Sequence, residues 1–100
     1  MSRVIIHYKV RPEEVGENVA LLRSFFGELE TVRPRGLVYE ACLLEDGVTF
    51  VHLVDSATGA GPFGDLASYR RYRDTVAARC EDPPEMIGME EIGTYHDKRA

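Results

Sequence analysis

Three histidines, His7, His52 and His96, give this 100-residue chain its acid–base chemistry near neutral pH, because an imidazole with an ordinary pKa of about 6.5 changes charge under small environmental effects. His52 is the candidate general base, and its plainer alternative is a hydrogen-bonded structural histidine beside Phe50. His7 carries the same ambiguity, as a substrate contact or a structural group, and His96 reads as an exposed tail residue. Glu40 falls between Val38 and Cys42 and opposite Val51 and Leu53. A carboxylate in such surroundings must find an arginine, titrate at a shifted pKa or face a wet cavity, so Glu40 is a second candidate acid or base. Tyr8, Tyr39, Tyr69 and Tyr72 have the chemistry to bind a phenolic ligand or relay its proton, with core packing as the alternative. Tyr39 and Tyr72 are the ones chosen as substrate contacts. Arg70 and Arg73 are able to hold an anionic group, or are simply solvated; Arg73 is the candidate.

Other chemistries find no support. The histidines are dispersed, with no HxH or HxxxH spacing, so no metal site is expected. Gly59 to Gly64 lacks the lysine and hydroxyl of a phosphate-binding loop. No cofactor is expected. Cys42 and Cys80 form neither a CxxC pair nor a disulfide framework and read as reduced and buried.

The elements that must position these residues follow from periodicity and punctuation. Arg3 to Val10 is β-branched and aromatic and ends at Arg11-Pro12, which predicts a strand. From Pro12, apolar residues at 15, 19, 22, 26 and 29 predict a helix to about Thr31, broken by Arg33-Pro34-Arg35-Gly36. Leu37–Leu44 and Val48–Asp55 flank Asp46-Gly47 and predict a hairpin pairing Leu43 with Phe50, Ala41 with His52 and Tyr39 with Val54. A second helix is predicted over Leu66 to Cys80, with Asp65 as its N-cap. Pro83-Pro84 is expected to stop it, and Glu85–His96 to form the last strand. Both hairpin faces carry apolar groups. The surplus, Phe50 and Tyr39 included, is assigned to the sheet face opposite the helices.

This β-α-β-β-α-β order is a ferredoxin-like α+β fold: a four-stranded antiparallel sheet with two helices on one face. Residues 1–100 are expected to form one domain. A chain this short buries only about two-thirds of its unfolded surface and gains if a partner subunit covers an apolar face. Its 12 Lys and Arg against 17 Asp and Glu leave a net charge of −5, which argues against nucleic acid as a partner. The apolar run near the N-terminus is too short for a leader or a membrane span, so a cytoplasmic protein is expected.

The chain resembles the dimeric α+β barrel superfamily, in particular small proteins related to antibiotic biosynthesis monooxygenases. The resemblance rests on the Arg-Pro-Glu-Glu entry to the first helix, the Arg-Pro-Arg-Gly break, the Leu-Glu-Asp-Gly-Val-Thr-Phe-Val-His hairpin, Ser68-Tyr69-Arg70-Arg71-Tyr72 and the closing Gly-Thr-Tyr-His. It implies a homodimer packed through its sheet faces, with a cavity between sheet and helices in each subunit. It also implies cofactor-independent oxidation of a small aromatic or polyketide-type compound. Haem degradation is disfavoured, since the chain has no tryptophan and its histidines fall on predicted strands. Two alternatives stay open: a non-catalytic ligand-binding or interaction module of the same fold, and an oxygen-independent isomerase or cyclase.

Overall fold

Strand and helix follow one another as the periodicities require. The computed structural model describes residues 2–58, 61–97 and 99, so Gly59 and Ala60 of the glycine-rich loop lie outside the described residues. Within them the order is β1 (Ser2–Val10), a 3-10 turn (Pro12–Glu14), α1 (Val15–Val32), β2 (Leu37–Leu43), β3 (Thr49–Ser56), α2 (Ala67–Arg79) and β4 (Cys80–Gly88). The four strands form one antiparallel sheet in the order β2-β3-β1-β4. None of the described helices is long and apolar enough to cross a membrane.

The hairpin has the expected register: Leu43 pairs with Phe50, Ala41 with His52 and Tyr39 with Val54. Gly47 takes a φ of 79°, which a side chain would resist. The Asp46 carboxylate accepts from the Val48 and Thr49 amides at 3.0 and 2.9 Å. Chain reversal is thus specified locally, by one glycine and one aspartate.

Which face meets the helices differs from the sequence expectation. Phe50, His52, Val54 and Ser56 alternate as buried residues along β3, and Tyr8 and Val10 do so on β1. Phe50 stacks on Tyr8 with ring centroids 5.4 Å apart, and Tyr39 meets Phe25 of α1 edge-on at 5.1 Å. Phe50 and Tyr39 therefore lie under the helices, and the surplus apolar face holds Val38, Cys42, Val51, Leu53, Ile5 and Ile87 instead. Register fixes which residues share a face but not which face the helices take. The helices cover the aromatic one, where each large side chain withdrawn from water contributes about 1.5–3 kcal/mol. Cys42, expected to be buried, is exposed on the opposite side.

Two further boundaries move. The last strand is Cys80–Gly88 and not Glu85–His96, and it contains Pro83-Pro84. It is an edge strand, where a missing amide donor is tolerated, and its pairing with β1 shifts register around the prolines. Asp65 does not cap α2: it pairs with Arg70 at 3.0 Å, and Leu66 takes the N-cap position. The helix start is held by Glu28 of α1, whose carboxylate accepts from the Ser68 amide at 3.1 Å and the Ser68 hydroxyl at 2.5 Å.

Candidate functional site

The layer between sheet and helices holds a polar chain inside an aromatic core. It begins on β3, where His52 is fully buried by alternation with Phe50 and Val54. Its Nδ1 lies 3.0 Å from Tyr39 Oη on β2, and its Nε2 lies 2.9 Å from Tyr8 Oη on β1. Tyr72 of α2 donates its hydroxyl to Tyr8 Oη at 2.9 Å, and Asn18 of α1 donates Nδ2–H to the same oxygen at 3.0 Å. Arg79, at the end of α2, donates Nε–H to Asn18 Oδ1 at 3.0 Å. Five elements thus meet in one hydrogen-bonded cluster.

Electrostatics follow from burial. His52 is pushed down to about 4 because its surroundings penalise the imidazolium. The imidazole is therefore neutral at neutral pH, one nitrogen donating and the other accepting. Burial also pushes the Tyr8, Tyr39 and Tyr72 hydroxyls up, so all three stay protonated. Arg79 is buried with no carboxylate in ion-pair range among the described residues. Its remaining contacts are the Thr75 hydroxyl at 2.5 Å, the Tyr72 carbonyl at 3.3 Å and the Tyr72 ring, 5.8 Å from the guanidinium carbon to the ring centre.

The cluster reaches the surface through Tyr39. An apolar recess of about 390 Å³ opens between α1 and the hairpin, lined by Val19, Leu22, Phe26, Ala41, Leu43 and Phe50, with Arg23 and Cys42 also on its wall. A second recess of about 250 Å³ is lined by Phe26, Leu29, Glu30, Arg33, Leu37 and Tyr39. Phe26 stands on the wall of both recesses, which lie side by side along the groove between α1 and β2. Small-ligand sites run about 300–1,000 Å³ and are mostly apolar with a few polar groups.

Of the sequence candidates, the structure brings His52, Tyr39 and Tyr72 together. Glu40 and His7 are not brought to them: each projects from the opposite sheet face, and His7 Nε2 stands 3.5 Å from Glu85 Oε2. Alternation is the reason, since Ala41 and Ile6, not Glu40 and His7, pair with His52. Arg73 lies on the exposed side of α2, 3.6 Å from Asp74. Asn18 and Arg79 were missed. Their signal was a polar residue in a buried helical stripe: Asn18, Leu22 and Phe25 on α1, and Ser68, Tyr72, Val76 and Arg79 on α2.

With this geometry in view, similar structures can be compared. An antibiotic biosynthesis monooxygenase aligns with a TM-score of 0.75 at 13% identity, over 93% of this chain and 100% of that one. A Nitrosomonas europaea protein assigned to the same class aligns at 0.76 and 18% identity, over 93% of this chain and all of its own. The chain shares the antibiotic biosynthesis monooxygenase fold. A Streptomyces coelicolor monooxygenase with this fold, in complex with nanaomycin D, aligns at 0.68 and 17% identity, over 97% of this chain and 92% of that one. No protein-family model and no curated protein matches the sequence. At these identities the likeness to the monooxygenases is one of fold.

Proposed function

We propose that the chain forms a homodimer through its outer sheet faces, binds a small planar oxygen-bearing aromatic compound between α1 and β2, and promotes its oxidation by dioxygen without a cofactor. One observation carries the reading: Tyr39 belongs both to the groove wall and to the buried His52 cluster. When an anthrone-like or quinol-like substrate loses a proton, charge develops on its oxygen. A preorganised hydroxyl donor beside the groove stabilises that charge. The resulting anion gives electrons to dioxygen; one oxygen atom enters the substrate as a carbonyl, and the other leaves as water with the two protons the substrate released. The fold likeness to a monooxygenase holding nanaomycin D supports a ligand of this class.

The dimer rests on the uncovered apolar face, with Val38 and Ile87 exposed there, and on Ile92 and Tyr95 standing exposed beyond β4. A second copy of the chain covers such a surface without new chemistry.

A second reading, a non-catalytic ligand-binding module, is favoured by one fact: the rings of Tyr8, Tyr39 and Tyr72 close around His52, their centroids 5.2, 5.6 and 5.7 Å from its own. Oxygen uptake with a panel of anthrones and quinols separates the two. The oxidase reading expects uptake above the buffer rate, falling about 10²- to 10³-fold in Tyr39→Phe, the usual cost of losing one such donor. Binding without uptake or turnover leaves the module.

A further inference from the structure

His52 has a phenol on each ring nitrogen: Tyr8 Oη stands 2.9 Å from Nε2 and Tyr39 Oη 3.0 Å from Nδ1. A neutral imidazole carries one N–H and one bare nitrogen. Both nitrogens are hydrogen-bonded, so the hydroxyl facing the bare one must be the donor. This holds for either tautomer: with the ring proton on Nδ1 the donor is Tyr8, and with it on Nε2 the donor is Tyr39. One phenol of the pair therefore always aims its proton at a base within transfer distance.

Such a pair changes how readily a tyrosine gives up an electron. A phenol that loses one becomes a strong acid, and in an apolar core the resulting charge is costly unless the proton has somewhere to go. Water is not that acceptor, because Tyr8 and His52 are both fully buried. His52 is. Burial weakens it as a base, its pKa falling to about 4, yet an oxidised phenol is a far stronger acid than its imidazolium. The proton crosses an existing hydrogen bond, and the imidazolium so formed donates to both tyrosine oxygens.

Both phenol rings are also close to the groove. Tyr39 lines the smaller recess, and Tyr8 stacks on Phe50, which lines the larger one, with ring centroids 5.4 Å apart. Either donor phenol thus stands at the groove wall or one aromatic ring behind it, within reach of electron tunnelling. We infer that Tyr8, His52 and Tyr39 form a proton-coupled redox unit that quenches one-electron oxidants arising in the groove. The oxidant is an organic peroxyl radical, formed when a substrate radical combines with dioxygen and goes no further. One electron passes from the donor phenol to the peroxyl radical, which becomes a peroxide anion and takes a proton from water. The phenolic O–H bond breaks, its proton forms an N–H bond on His52, and a neutral tyrosyl radical remains. The source of the oxidant rests on the groove reading above, whereas the redox unit stands on the His52 hydrogen bonds alone.

The test is freeze-quench electron paramagnetic resonance of the ligand-free protein after oxidation by photogenerated tris(bipyridine)ruthenium(III), with a cobalt(III) ammine as terminal electron acceptor. A Tyr95→Phe background removes the exposed tyrosine beyond β4. The expected product is a neutral tyrosyl radical whose oxygen accepts a hydrogen bond from a histidine, read as an electron–nuclear coupling to nitrogen-15 in histidine-labelled protein. His52→Gln should slow its formation about 10²-fold, the lower end of what a positioned base contributes, and Tyr8→Phe combined with Tyr39→Phe should abolish it. A tyrosyl radical without the nitrogen-15 coupling, or one formed equally fast in His52→Gln, overturns the inference. The coupling is read with the core unaltered, so it decides the matter whether or not the variants fold. A protein that forms the coupled radical but binds no aromatic compound keeps the redox unit and removes the groove as the source of its oxidant.

Discussion

Tyr39 Oη and His52 Nδ1 lie 3.0 Å apart, which couples a groove-wall tyrosine on the outermost strand to an imidazole that water does not reach. Because the imidazole is held neutral by burial alone, this pair has a pH signature. The folded pKa of about 4 lies below the ordinary 6.5. The unfolded chain therefore binds the His52 proton first, and stability is lost as pH falls from about 6.5 to about 4. The difference is worth about 3 kcal/mol at full development. Glu28 and Asp46, held low by hydrogen bonds from Ser68 and Thr49, act at lower pH, below their ordinary values of 4.5 and 3.8. Urea unfolding at pH 7 and pH 4.5, with His52→Gln as the reference, should show the loss in the native protein and little of it in the variant. A slope shared by both would assign it elsewhere.

Asn18 joins Arg79 to Tyr8, so removing it strands a charged donor. Asn18→Leu is expected to cost about 2–4 kcal/mol, since hydrogen bonds to charged groups exceed neutral ones and the guanidinium stays buried. Arg79→Met in the same background removes the stranded group, and the double variant should be destabilised by less than the two single changes combined. Additive effects in a denaturation double-mutant cycle would mean the two residues act separately.

The start of α2 depends on a residue 40 positions earlier in the chain, Glu28. Glu28→Ala should lower Tm, and Glu28→Gln should lower it less, because an amide oxygen still accepts from Ser68. Equal Tm values for both variants and the native protein would show that the helix start needs no cap.

Leu53 and Ile5 pair across the centre of the outer sheet face. Placing a carboxylate there, as in Leu53→Glu, is expected to give a folded monomer where the native chain sediments as a dimer, with the helical circular dichroism unchanged. A native chain that sediments as a monomer at micromolar concentration would remove the proposed dimer.

Much of this architecture was legible in the residues. Asp46-Gly47 set the hairpin register without help from elsewhere, and the apolar spacings marked both helices. What escaped were choices made between distant parts of the chain. The side of β3 facing the helices was hidden because Val51 and Leu53 are as apolar as their neighbours Phe50 and Val54. Pro83-Pro84 reads as a terminator until the strand is known to lie at an edge. Asn18 and Arg79 look like solvated helix residues in the linear sequence, and only the meeting of α1, α2 and β1 puts them around Tyr8. His52 and Tyr39 were identifiable by type; their connection required the packed sheet.

The most direct test of the central claim is a map of where an aryl ketone binds. Amide chemical-shift changes on adding anthrone should concentrate at Phe26, Leu29, Leu37, Tyr39 and Ala41, along the groove between α1 and β2, and the His52 ring nitrogens should respond through Tyr39. Shifts confined to the outer sheet face or to the exposed side of α2 around Arg73, or none at saturating ligand, would contradict it.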